Sequence, residues 1–264
     1  MNTHRMLCFG RHDDNGNAAV VVEHSSLNEA ERLAFAQRQN AAATVFVDAD
    51  AAGVTQLDYF YPHMRSPLCL HATLAASAVF FERNPSIERT RFVTSMRRQV
   101  LDVSRAGQNI FVDVSAQQCP ALNIDVAQVA RLLSTDATHL IGLPRLASVG
   151  SVKLLVEMSD RNLLDALRPD LPAIVSWGKE NGVSGLYVYC HLHDDVYAGR
   201  NFNHLDPRIE DPATGVAAGA LASLLERSIT LQQGDAMGQP CTLEARFTHG
   251  GAVQVGGRAV RGSV

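Results

Sequence analysis

The chain has 264 residues, 46% of them hydrophobic, enough to bury one large core or two smaller ones. With 27 acidic against 23 basic residues and a formal net charge of −4, it has no basic field, so no nucleic-acid partner is expected. No apolar run reaches the roughly 20 residues of a membrane span, and the N-terminus leads into a strand pattern instead of a signal-peptide core, so a cytoplasmic protein without a membrane partner is expected.

Met6-Leu7-Cys8-Phe9 and Ala18 to Val22 read as two strands joined through Asp13-Asp14-Asn15-Gly16-Asn17. That segment is a turn, and its tip is also able to offer backbone N–H groups to a ligand. Ser26-Leu27-Asn28-Glu29 matches a capping box and predicts a helix to about Asn40. Thr44 to Val47 and Leu57 to Tyr61 follow as strands, the second stopped at Pro62. A helix is predicted from His71 to about Arg83. Strands at Arg91 to Thr94, Gln99 to Val103 and Asn109 to Val114 come next, the last two as a hairpin over Ala106-Gly107-Gln108.

Ser115 to Pro120 breaks the pattern and divides the chain into an N-terminal lobe, 1–116, and a C-terminal lobe, 117–264, whose last strand is able to cross back. The second lobe reads as helices at Asp125 to Leu133, Asn162 to Leu167 and Ala173 to Lys179, with strands at Val152 to Met158, Gly185 to Cys190 and Tyr197 to Phe202. A long helix follows Gly215. The chain ends with a strand at Thr242 to Phe247 and a closing hairpin turned by Gly256-Gly257.

The most informative stretch is Glu210-Asp211-Pro212-Ala213-Thr214-Gly215, which runs into the small-residue helix Val216-Ala217-Ala218-Gly219-Ala220. A helix start offers free N–H groups and partial positive charge to an anion, while Asp211 stands ready to exchange a proton. The plainer reading is that Asp211 or Thr214 caps the helix. Earlier in the chain, Cys69-Leu70-His71-Ala72-Thr73-Leu74-Ala75-Ala76-Ser77-Ala78 repeats the pattern, His-Ala-Thr against Pro-Ala-Thr. The repeat predicts a duplicated unit, with both helix starts serving one cleft.

Five cysteines, Cys8, Cys69, Cys119, Cys190 and Cys241, form no disulfide framework and have no metal-ligand spacing, so most are expected to be buried thiols. The histidines His63, His139, His191, His193, His204 and His249 fall at no ligand spacing either. His191-Leu192-His193-Asp194 reads as a solvated loop more readily than as a metal site. No metal and no organic cofactor are expected.

Together, Gly16 to Val21, Cys69 to Ala76, Glu210 to Gly215 and Val255-Gly256-Gly257-Arg258-Ala259-Val260 resemble the PhzF phenazine-biosynthesis family over essentially the whole chain. The resemblance implies an α+β fold of the diaminopimelate epimerase-like kind: two similar lobes, each a mixed, mostly antiparallel sheet wrapped around a central helix. It also implies a homodimer and cofactor-free proton transfer on a small carboxylic acid. Asp211 matches the family's acid/base aspartate and His71 its substrate-contacting histidine. Thr214 and Gly215 match its Thr-Gly pair, and Gly16 and Asn17 its first turn.

Three positions depart from the family. Ala43 stands where the family carries its principal proton-carrying Glu, Leu70 replaces the Gly of Cys-Gly-His, and Val216 follows Thr-Gly where Ser is usual. The proton carriers left are Asp211, His71 and Cys69. Cys69 precedes its helix, where a thiol is activated, and epimerases of this fold pair cysteines at the two helix starts. His71 is a base near neutral pH or simply a hydrogen-bonding group. Two readings stay open: an isomerase or epimerase-type enzyme using Asp211, and a family member that kept the fold and lost the reaction, serving as a ligand-binding or interaction protein.

Overall fold

Strand β2 (Asn17–Glu23) is buried on both faces, which is what its unbroken run of Ala and Val calls for. On one face Val20 and Val22 pack with Phe46, Phe60 and Ala36 beneath α1 (Glu29–Arg38). By alternation, Ala19 and Val21 lie on the opposite face, and α2 (Leu70–Arg83) packs against this strand. In the computed structural model the described residues are 1–49, 53–202, 210–248 and 251–262. His204, His249 and residues 50–52 of an expected loop lie outside them.

The chain forms two compact units, Met1–Asp113 with Gly256–Val264, and Val114–Val255. The first contains β1 (Asn2–Cys8), β2, β3 (Ala43–Ala49), β4 (Thr55–Tyr61), β5 (Met64–Ser66), β6 (Arg89–Thr94), β7 (Val100–Ala106), most of β8 (Asn109–Ser115) and the end of β15 (Ala252–Arg261). The strand order is β1-β2-β3-β4-β6-β7-β8-β15, and β15 pairs with β1 again, so eight strands close into a barrel. Helix α2 is buried on every side from Leu70 to Val79, as an Ala-rich helix inside such a ring must be.

In the second unit, β9 (Leu140–Ala147), β10 (Lys153–Met158), β11 (Leu186–His193), β12 (Val196–Phe202), β13 (Ile229–Gln233) and β14 (Cys241–Phe247) form a sheet in chain order, continued by the start of β15. Helix α6 (Gly215–Leu225) touches β14 and also β9 and β10 at the far end, so the sheet curves around it. A Cβ on Gly219 would stand 2.8 Å from methyls of Val149, in the segment after β9, and Val255 on β15; glycine there admits both side chains. The outer face is covered by α3 (Val126–Leu132), α4 (Arg161–Ala166) and α5 (Leu171–Asn181), with Ile174, Trp177 and Leu164 against Leu154, Val156, Val188 and Phe202.

The two units repeat one pairing scheme. From β1 to β7 the pairs run antiparallel, parallel, antiparallel, parallel, antiparallel, and from β9 to β14 they run the same way. Helix α2 follows β4 and α6 follows β12, the corresponding places in the two schemes. The architecture is therefore α+β and two-fold repeated, with mixed sheets wrapped around central helices.

Three local expectations are corrected. The capping box of α1 is Asn28 with Glu31, two residues beyond Ser26 and Glu29: Asn28 Oδ1 accepts from the Glu31 N–H at 3.1 Å and Glu31 Oε2 from the Asn28 N–H at 2.8 Å. The closing hairpin is instead the single strand β15. Gly256 is needed there because a Cβ would collide with the Ile110 carbonyl and the Phe111 ring, so the glycine serves close approach and not a turn. Strands β5, β9 and β13 were not anticipated; Pro144 sits within β9, which is an edge strand and tolerates it.

Candidate active site

In the first unit, Cys69 is the N-cap residue of α2, in extended conformation and without a side-chain cap bond. Its Sγ lies 3.3 Å from His71 Nδ1, and both residues are buried. Thr73, one turn into the helix, donates its hydroxyl to the Cys69 carbonyl at 2.9 Å and shares a 2.7 Å hydrogen bond with Tyr59 Oη. Burial pushes the Tyr59 phenol up, so it stays a neutral partner. Cys8 donates its thiol to the His71 carbonyl at 3.1 Å and is the cross-strand partner of Asn17. Gly16 precedes it with φ 132° because a Cβ would stand 2.8 Å from the Cys8 carbonyl. The first turn and the start of α2 are thus joined through Cys8.

In the second unit, Asp211 lies four residues ahead of α6 and is held by an antiparallel bridge to Asn201. Its Oδ2 accepts from Thr214 Oγ1 at 2.6 Å. Thr214 is the N-cap residue, yet its side chain makes no cap bond and turns to Asp211 instead. Gly215 and Val216 form the first turn of α6, Gly215 buried and Val216 half-exposed. Glu210 has a structural partner: Arg200 grips it through Nε at 3.0 Å and Nη2 at 2.7 Å while its Nη1 holds the carbonyls that end α4.

Gln233 ties these parts together. Its Oε1 accepts from Tyr187 Oη at 3.1 Å and from the Thr214 N–H at 3.3 Å, and its Nε2 donates to the Asp211 carbonyl at 2.6 Å and to Thr214 Oγ1 at 3.2 Å. Lys153 is fully buried and donates to the Ser184 carbonyl at 2.8 Å. Burial pulls its ammonium down to about 8, against the opposing pull of Asp211. Burial, with help from Asp211 and Glu210, pushes the Tyr187 phenol well up.

Residues 8–263 match the family model described as phenazine biosynthesis-like protein. The chain belongs to the phenazine biosynthesis-like, or PhzF, family. An uncharacterised isomerase of Deinococcus radiodurans is 31% identical over 92% of this chain and 86% of its own length. A PhzF-family protein of Bacillus anthracis superposes with a TM-score of 0.84 at 19% identity, covering 100% of this chain and 98% of that one. A hydroxyproline epimerase from Agrobacterium vitis, solved with trans-4-hydroxy-L-proline bound, gives a TM-score of 0.59 at 11% identity over 99% of this chain and 90% of that one. The chain therefore belongs among PhzF-like isomerases and shares its fold with epimerases.

Within this PhzF-family chain, Ala43 opens β3 opposite Ala19, buried, on the same face as Val45. Leu70 is the first residue of α2 and is buried. His191 and His193 lie on the β11–β12 hairpin, with His191 Nε2 2.9 Å from the Asp194 carbonyl and the His193 and Asp194 side chains largely exposed. Among the described residues, no three His, Cys, Asp or Glu side chains gather as a metal-binding group. Sequence reasoning missed Lys153, Tyr187, Asn201 and Gln233. The available signal for Lys153 and Tyr187 was a polar group beside the apolar runs of β10 and β11; β12 and β13, with Arg200-Asn201 and Gln232-Gln233, offered no such contrast.

Proposed function

We propose that this PhzF-family chain catalyses cofactor-independent proton transfer on a small carboxylic acid, shifting a double bond or the proton on the carbon beside the carboxylate. Asp211 is the acid/base group. A C–H bond of the substrate breaks, its electron pair stays on the substrate, the proton passes to an Asp211 oxygen, and a proton is returned at the product position. Within the first unit, Cys69 Sγ and His71 Nδ1 lie 3.3 Å apart, a thiol and an imidazole able to exchange a proton with each other.

The observation that carries this reading is the contrast between Asp211 and its supports. The carboxylate is half-buried, whereas Thr214, Gln233 and Tyr187, which fix it, are buried and hydrogen-bonded to one another. A rigid framework presenting one reachable carboxylate suits proton exchange. The family relationship supports isomerase chemistry, and the amino acid held by the hydroxyproline epimerase supports the ligand class.

The test is incubation in D₂O with a panel of small carboxylic and amino acids, followed by NMR for deuterium next to the carboxylate. Exchange by the wild type and its loss in Asp211→Asn are expected. Exchange that persists in folded Asp211→Asn rejects the carboxylate's role, and no exchange or rearrangement across the panel rejects the reading. Cys69→Ala separately assays the thiol.

A further inference from the structure

Gln233 ends β13, and two backbone groups of fixed character decide which way its carboxamide faces. The Thr214 N–H can only donate, so the side-chain atom 3.3 Å away is the oxygen; the Asp211 carbonyl can only accept, so the atom 2.6 Å away is the nitrogen. With the oxygen so placed, the Tyr187 hydroxyl, 3.1 Å from it, must donate. The sheet makes room for this contact: Gly199, the β12 partner of Gln233, has no Cβ, and the Tyr187 hydroxyl lies where one would stand.

The consequence passes to Thr214. One Gln233 Nε2 hydrogen serves the Asp211 carbonyl, and the other points at Thr214 Oγ1, 3.2 Å away. That hydroxyl accepts from Gln233 and has a single proton to give, which goes to Asp211 Oδ2 at 2.6 Å. Donation therefore runs one way, from Tyr187 to Gln233 to Thr214 to Asp211, through three buried side chains.

We propose that Gln233 is a positioning residue for the Asp211 base: it commits the Thr214 hydroxyl to donating, which keeps the carboxylate ionised and makes Oδ1 the oxygen that takes the substrate's proton. A proton on Oδ2 would face the Thr214 proton across 2.6 Å. The hydroxyl could accept it only by turning its own proton away from Oδ2, the one acceptor it has among the described residues. During proton transfer the substrate's C–H proton moves to Oδ1, its electron pair stays on the substrate, and Thr214 keeps its own proton. The titratable groups around this relay are engaged elsewhere. Glu210 is gripped by Arg200, Asp235 pairs with Arg161 at 3.3 Å, and Lys153 donates to the Ser184 carbonyl. Cys241, the β14 partner of Gln233, donates to the Gln239 carbonyl at 3.3 Å, burial keeps the Tyr187 phenol neutral, and α6 carries no titratable side chain.

The inference rests on the role assigned to Asp211 above, and its test needs no substrate. Carboxylate NMR of ¹³C-labelled protein, with the Asp211 signal identified by its loss in Asp211→Asn, follows the carboxylate through pH. Gln233→Met, which keeps the length and removes the donor, is expected to raise the Asp211 midpoint by about one pH unit. In a Thr214→Val background the same replacement is expected to move it far less, because the hydroxyl that carries the effect is gone. An unchanged midpoint in folded Gln233→Met, or an equal rise in both backgrounds, overturns the proposal. Where either Gln233→Met protein fails to fold, neutron diffraction of the wild type decides. A deuteron on Thr214 Oγ1 directed at Asp211 Oδ2 is expected; one directed at Gln233, or one carried by Oδ2, overturns the proposal. Uncoupled midpoints beside exchange that is lost in Asp211→Asn reject the glutamine's role alone; coupled midpoints beside exchange that survives Asp211→Asn reject the carboxylate's role alone.

Discussion

The Thr214 hydroxyl donates to Asp211 Oδ2 at 2.6 Å and leaves the first turn of its own helix without a side-chain cap. A hydrogen bond to a carboxylate contributes about 1.5 to 3 kcal/mol. Thr214→Val, which keeps the shape and removes the donor, is expected to slow Asp211-dependent deuterium exchange by about tenfold to a hundredfold. Circular dichroism should record the same helix content. An unchanged exchange rate would show that the hydroxyl does not orient the base.

Gln233 satisfies four hydrogen bonds while only 1% exposed. Gln233→Leu strands the Tyr187 hydroxyl and the Thr214 N–H in a dry interior, each at about 1 to 3 kcal/mol. Urea unfolding should therefore register a loss of about 2 to 6 kcal/mol. A loss below about 1 kcal/mol would mean that these groups find other partners.

In the first unit, Asp58 bridges two arginines, accepting from Arg32 Nη1 at 3.1 Å and Arg65 Nε at 2.8 Å with its side chain 4% exposed. The guanidiniums lie over Phe46 and Phe60, so the carboxylate fastens α1 and β5 to the barrel wall. Asp58→Ala leaves a cluster of cations with a missing partner and is expected to cost about 3 kcal/mol, measured by denaturant titration. A neutral outcome would place the pair in the class of weak surface bridges.

Two glycine replacements separate steric from conformational need. Gly182 ends α5 at φ 66° with open space where a Cβ would stand, so Gly182→Ala should cost about 1 to 2 kcal/mol. Gly256→Ala meets the Ile110 carbonyl and the Phe111 ring and should lower the melting temperature by clearly more. Equal losses would refute the close-approach reading of Gly256.

Lys153 ties stability to alkaline pH. Its ammonium titrates near about 8 in the fold against 10.5 in the free side chain. Between these values the unfolded chain holds a proton that the folded chain has released, so this group adds stability as pH rises through the window. Tyrosine and cysteine residues act in the same range, and subtracting Lys153→Met removes their contribution. From about pH 7 to about pH 11, the difference in unfolding free energy is expected to move toward wild type by about 2 to 3 kcal/mol. A flat difference would show that the lysine is hydrated.

Helices α2 and α6 were legible because Ala-rich runs next to Pro and Gly have few other uses, and the repeated His-Ala-Thr and Pro-Ala-Thr linked them. Strands with unbroken apolar runs, Ala18 to Val22 in β2 and Leu154 to Val156 in β10, were legible too. Lys153 and Gln233 were not, because Gln233 lies in a half-polar strand, β13, that the sequence does not announce, and the partners of both, the Ser184 carbonyl and the Tyr187 hydroxyl, lie far away in sequence. Gly256-Gly257 misled for a related reason. Glycine permits a tight turn and close packing equally, and only Ile110, far away in sequence, decides between them. Strand β9 was hidden by Gly142 and Pro144.

Strand β15 serves both units, its first residues counted with the second and its last with the first, where they pair with β1. Expressing residues 1–113 alone would strip the barrel of its closing stave and leave β1 and β8 as raw rims that invite aggregation. A premature stop codon just before Gly256 would therefore injure the unit that is made earlier in translation.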